Sequence, residues 1–144
     1  MIISAITKSF ATEVGQGLHN MSVGGDVFKL ALYTNQATLN SDTTIYSVTN
    51  EVSGTGYTPG GDTLTNTNPT QSDGKGLYGW TDLTFSTLTV SNITGGLIYN
   101  STNGNRAVVV LNFGASYSPS AQDFNIVFPS VTSTTALIRI KPNG

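Results

Sequence analysis

The stretch EVSGTGYTPGGDTL, residues 51–64, gathers Glu51, Gly54, Gly56, Tyr57, Pro59, Gly60 and Gly61 within a few positions. Such residues can do three kinds of chemistry. Backbone amides of a glycine-rich loop can cradle phosphate, a glutamate beside a tyrosine can trade protons, or the set can shape a turn. A phosphate loop needs G-x4-G-K-[ST] between a strand and a helix, so that amides and a lysine surround the anion. Here Tyr57 and Pro59 follow the first glycines, and the single Gly74-Lys75 pair runs into Gly76. The structural reading is therefore the better one: Pro59 and Gly60 suit the centre of a type II turn, where proline presets φ and glycine takes a positive φ. Tyr57 is expected to anchor this turn by packing its ring and bonding its hydroxyl.

Other reactive combinations are thin. His19 is the one histidine, and no G-x-S-x-G elbow exists for it to serve. With no cysteine, thiolate chemistry, disulfides and His/Cys metal sites are excluded. Asp62, Asp73 and Asp82 lack EF-hand spacing and leave open only an oxygen-ligand calcium site. No catalytic, cofactor or metal residue is expected, and an enzyme is the least favoured class. Tyr33, Tyr57, Tyr78, Trp80 and Tyr99 could stack on sugar rings if exposed; strand aromatics more often sit in a core or interface.

The 144-residue chain has the length of one domain with one core. Charged residues make up 10% of it, against about 25% in an average domain, while Thr, Ser, Asn and Gly supply nearly half. A net charge of −2 with six Lys and Arg offers no cationic stripe, so nucleic acid is not an expected partner. The apolar runs are far shorter than the roughly 20 residues a membrane span requires. The N-terminal stretch lacks a basic n-region and an A-x-A site and reads as mature protein.

These residues need a scaffold. Ile2, Ile6, Phe10, Val14 and Leu18 recur every fourth position and predict an amphipathic helix over about 3–14, ended by Gly15 and Gly17. Beyond it the period shortens. Strands are predicted over 27–34, 44–48, 62–67, 80–90, 95–100, 106–113, 122–128 and 135–140, separated by turn signals such as TPGG, SDGKG and STNGN. The expected fold is mainly β: an antiparallel sandwich or barrel over about 27–141, preceded by one short helix, in a single domain 1–144. TDLTFSTLTV and RAVVVLNF carry few charges, with Arg106 and Lys75 nearby, and are expected to leave unprotected edges that pair with other chains.

FKLALYT, then NEVSGTGYTPGGDTLTN, then GWTDLTFSTLTVSNITGGLIYN in this order resemble a widespread group of small tailed-bacteriophage virion proteins. In that group K-x-A-L-x-T precedes E-V-S-G-x-G-Y-T-x-G-G, and a tryptophan-bearing segment with a later glycine follows. Glu51, Gly54, Gly56, Tyr57, Gly60 and Gly61 match the loop motif, Trp80 the central aromatic and Gly96 the later glycine. The resemblance implies a non-enzymatic virion component assembled in the host cytoplasm, with the major capsid protein or other virion proteins as partners. A capsid decoration or cement protein is the leading reading. A tail, tail-fibre or head-tail connector component, or a carbohydrate-binding module of a fibre, stays as the alternative. Analogy with capsid-coating proteins favours a homotrimer.

Overall fold

The computed structural model describes residues 1–142. In chain order its elements are β1 (Ala5–Ile6), α1 (Lys8–Glu13), β2 (Phe28–Tyr33), β3 (Gly54–Thr55), β4 (Asp62–Thr63), β5 (Thr70–Ser72), β6 (Lys75–Tyr78), β7 (Leu83–Val90), β8 (Ile93–Asn100), β9 (Arg106–Tyr117), β10 (Gln122–Ile126) and β11 (Ile138–Ile140). The chain is mainly β with antiparallel sheets, in a sandwich-like arrangement. One sheet has the order β1-β9-β8-β2-β4, a second β10-β7-β3 and a third β11-β6-β5. No described helix is long and apolar enough to cross a membrane.

The central strands explain the layering. FKLALY and ITGGLIYN are apolar at nearly every position, the pattern of strands covered on both faces. One face of the five-stranded sheet supplies Leu30, Leu32 and Ile98 to a core shared with Phe85, Leu88 and Val90 of β7 and Ile126 of β10. Its other face buries Ala31, Leu97, Tyr99 and Val110 beneath Ile2, Ala37 and Leu39. β7 alternates until Phe85, then skips one place to Leu88. A bulge lies there: the β7–β10 register shifts, Thr87 adopts φ 49°, and its N–H donates to Asp123 Oδ1 at 2.9 Å.

The helix expected over 3–14 is shorter, and the reason is competition for its backbone. Ile3 N–H donates to Leu39 O at 2.9 Å and Thr7 N–H to Val108 O at 3.0 Å, so the first seven residues are held extended by partners on both sides. Thr7 then serves as N-cap, its Oγ1 accepting from Phe10 N–H at 3.3 Å. Ile2 and Phe10 are buried, whereas Ile6 is exposed, because the fourfold spacing crosses an element boundary. Gly17 does close the helical end: at φ 73° it lets Leu18 N–H reach Glu13 O at 3.1 Å.

Several strand expectations need correction, among them that over 135–140, of which only Ile138–Ile140 forms a strand. Residues 44–48 contribute one isolated bridge, Ile45 to Arg106, and leave Ile45 and Val48 exposed. Of 62–67 only Asp62–Thr63 forms a strand, with Asn66 bridged to Trp80. The SDGKG stretch is the tip of a hairpin whose strands, β5 and β6, the sequence reading passed over. The two strands expected at open edges lie inside their sheets. β7 sits between β10 and β3, and β9 between β8 and β1. Ala107 N–H bonds Thr44 O and Asn112 N–H bonds Ser4 Oγ, which extends the cover along the outer side of β9.

Candidate functional site

The glycine-rich loop lies along an edge of the five-stranded sheet. β4 pairs with β2 only at Lys29 and Leu30. Further along β2, Val52 N–H donates to Leu32 O at 3.0 Å, and Thr34 N–H donates to Asn50 O at 3.0 Å. Between these bonds and the β4 pairing, Leu32 N–H donates to the Tyr57 hydroxyl at 2.9 Å. A side-chain oxygen thus stands where a neighbouring strand would offer a carbonyl, and the edge is closed without a strand.

Glu51 holds that hydroxyl in place. Its Oε1 accepts from the Tyr57 hydroxyl and from Gly60 N–H at 2.7 Å, and its Oε2 accepts from the Tyr46 hydroxyl at 2.7 Å. Tyr99 completes the ring of contacts by donating to Gly60 O at 2.6 Å while stacking on Tyr46 at 4.6 Å and 17°. The Tyr57 ring stacks on Phe85 at 6.0 Å. Burial first, and then Glu51, by its hydrogen bonds to Tyr46 and Tyr57 and by its charge, raises the hydroxyls of Tyr33, Tyr46 and Tyr57 above the ordinary tyrosine range and pushes Tyr99 up to about 12. At neutral pH every one of these hydroxyls keeps its proton and donates it. The assembly is a carboxylate clamp.

The turn has the expected geometry: Gly61 N–H donates to Thr58 O at 2.9 Å, and Gly60 at φ 98° occupies its third position after Pro59. Gly61 is constrained most. At φ 78°, a Cβ there would lie 1.8 Å from Leu30 O, so no larger residue fits where the loop crosses β2. Gly54, in β3, presses on β7 in the same way, 2.2 Å from Thr89 O to its would-be Cβ, and Gly56 follows on that strand at 2.6 Å from Thr87 O. Gly96 faces Leu32 across the β2–β8 ladder, behind the clamp. Trp80 lies elsewhere: buried against Phe28 at 5.5 Å and Phe128 at 6.3 Å, it donates Nε1–H to Asn66 Oδ1 at 3.0 Å.

A second polar cluster escaped the sequence reading. Glu13 accepts from His19 Nε2 at 2.9 Å and from Arg106 at 2.8 Å. Asn100 Nδ2 faces His19 Nδ1 at 3.1 Å and Asp26 Oδ2 at 2.8 Å. The Asn100 Oδ1 accepts two backbone N–H groups, which orients its amide and makes Nδ1 the acceptor and Nε2–H the donor of the imidazole. Burial by itself would raise the Glu13 carboxyl, but the His19 and Arg106 hydrogen bonds outweigh it and hold the group below its usual range. Both His19 nitrogens are engaged, so the imidazole ties α1 to β8, while Glu13 reaches β9 through Arg106. Partners so far apart in the chain leave no local signal.

The sugar-stacking set does not form a platform. Tyr33, Tyr57, Trp80 and Tyr99 are buried and Tyr78 is half-buried, with their faces in the two cores. Asp82 accepts from Phe128 N–H at 2.8 Å, and Asp73 lies 3.8 Å from Lys75 at the hairpin tip. Among the described residues no group of three or more His, Cys, Asp or Glu side chains could hold a metal ion. Comparison of the chain with protein-family models, curated proteins and solved structures finds no match in any of the three.

Proposed function

We propose that this chain is a structural protein of a tailed-bacteriophage virion, a decoration or cement protein that binds the capsid shell and bridges major capsid subunits. One observation carries the reading. The loop that resembles that group's motif, from Glu51 to Gly61, is spent on closing a sheet edge, with Glu51, Tyr57, Gly60 and Gly61 all in one clamp. A motif used this way is the signature of a domain and its packing, as expected in a protein that works by contact. The weakly charged, hydroxyl-rich composition supports the same role, because surfaces with few ions meet a neighbour at a small desolvation cost. Many copies then add modest contacts into stable binding.

A tail, tail-fibre or connector position is the second reading; burial of the candidate tyrosines removes the support for a glycan module. Self-association as a trimer belongs to the proposal on family analogy. Among the described residues β5 and β10 are sheet edges that could serve it, whereas β7 and β9 lie inside their sheets. Mass spectrometry of purified heads and of isolated tails tests the assignment. Enrichment in heads at a copy number matching the capsid lattice is expected. Recovery only with tails moves the protein to the second reading, and absence from purified particles overturns the proposal.

A further inference from the structure

β11 is the last strand of its sheet, paired through Ile138, Arg139 and Ile140 with β6 on one side only. Among the described residues no backbone group bonds its other side. That side borders a groove of about 370 Å³, formed by Ile6, Phe10, Ala11 and Val14 of the N-terminal segment with Ile138 and Ile140. Ile6 and Ile140 remain 41% and 39% exposed. An open strand edge beside an apolar slot is the arrangement that accepts an added strand: main-chain bonds supply affinity, and the slot takes alternate side chains.

The charge at this place selects the occupant. Arg139 and Lys141 line the groove, two of the six Lys and Arg in the whole chain, and among the described residues no carboxylate lines it. Arg139 donates to Thr134 O at 2.8 Å, and among the described residues neither cation has an ion-pair partner. Pairing β11 with its own counterpart is a poor fit, because it would set Arg139 and Lys141 against their own kind, and like charges across a ladder destabilise it. We infer that the β11 edge and its groove take an extended segment of a different protein, with apolar side chains at alternate positions and carboxylates opposite Arg139 and Lys141. This surface is defined by its own residues and goes beyond the virion assignment.

The test is a titration of the full chain with a short synthetic peptide in which Val alternates with Thr and Glu, and with a counterpart carrying Lys for Glu. Backbone NMR shifts and amide exchange are the readouts. The Glu peptide is expected to shift Ile6 and residues 138–141, slow exchange along β11, and weaken as salt is added. Binding should fall about tenfold for the Lys peptide, and equally for the Glu peptide on the R139E/K141E variant, the size expected for reversing two rim charges. That variant alters exposed side chains and keeps the fold, as its unshifted core resonances will establish. Equal affinity for both peptides, shifts elsewhere on the surface, or no binding at all would overturn the inference. So would sedimentation that finds the peptide-free protein dimerising through β11. Particle composition, in contrast, decides the virion reading without touching this one.

Discussion

Glu51 satisfies two tyrosine hydroxyls and one backbone amide from a half-buried position. Replacing it by Gln keeps the shape but puts amide hydrogens against at least one of those donors. Glu51→Gln should cost about 1–3 kcal/mol, the range for a buried hydrogen-bonding group left unpaired. For a chain of this size that lowers Tm by about 2–4 °C per kcal/mol, which calorimetry would read; an unchanged Tm would mean the carboxylate is dispensable. The tyrosines around it predict alkaline sensitivity. Below their ordinary value of 10.0, folded and unfolded chains both keep the proton and the stabilisation is whole. Above it the unfolded chain ionises first, and stability is lost as pH rises through Tyr99's value of about 12. Denaturant midpoints should hold steady from neutral pH up to the ordinary value and fall beyond it, less steeply in Tyr99→Phe.

For the loop and the strands it crosses, two glycines of similar φ separate backbone preference from close approach. Gly74 at φ 72° has open space around its would-be Cβ, whereas Gly61 at φ 78° meets Leu30 O at 1.8 Å. Gly74→Ala should cost about 1 kcal/mol, the left-handed penalty of an L residue. Gly61→Ala should cost several times that, or fail to fold, because the loop must lift off β2. Equal urea midpoints for the two would refute the close approach. The N-terminal segment can be weighed in the same way. Removing residues 1–7 strips Ile2 from the second core and uncovers β9. Burial of Ile2 by itself accounts for about 1.5–3 kcal/mol, so the truncated chain should lose at least that in chemical denaturation.

At the scale of the whole molecule, one core joins strands of different sheets: Phe85 of β7, Ile138 of β11 and Leu30 of β2 belong to the same buried cluster as Trp80. Sheets that share a core unfold together. Trp80 is the sole tryptophan, so its fluorescence reports on that cluster without competition. Its denaturation transition should coincide with that of far-UV circular dichroism. A separated fluorescence step would mean that the β5, β6 and β11 hairpin layer melts as its own unit.

Composition and period alone determined the β class, since alternation and turn chemistry are local and each strand needs only its own residues to declare itself. The type II turn at Pro59-Gly60 and the closing role of Gly17 were legible for the same reason: φ preference belongs to a single residue. The step from Phe85 to Leu88 even carried a bulge in its spacing, which the sequence reading ran straight through. Only the tertiary structure decided what Ile2 and Ile6 belong to, because Leu39 and Val108 compete for their stretch of backbone from far along the chain. It alone put a tyrosine hydroxyl on the edge of β2, covered β9 with residues 4–7 and 44–46, and assembled Glu13, His19, Asn100 and Arg106. Hydrogen-bond partners separated by dozens of residues leave no periodic trace, and whether a strand is an edge depends on its neighbours in space, which no stretch of its own sequence encodes.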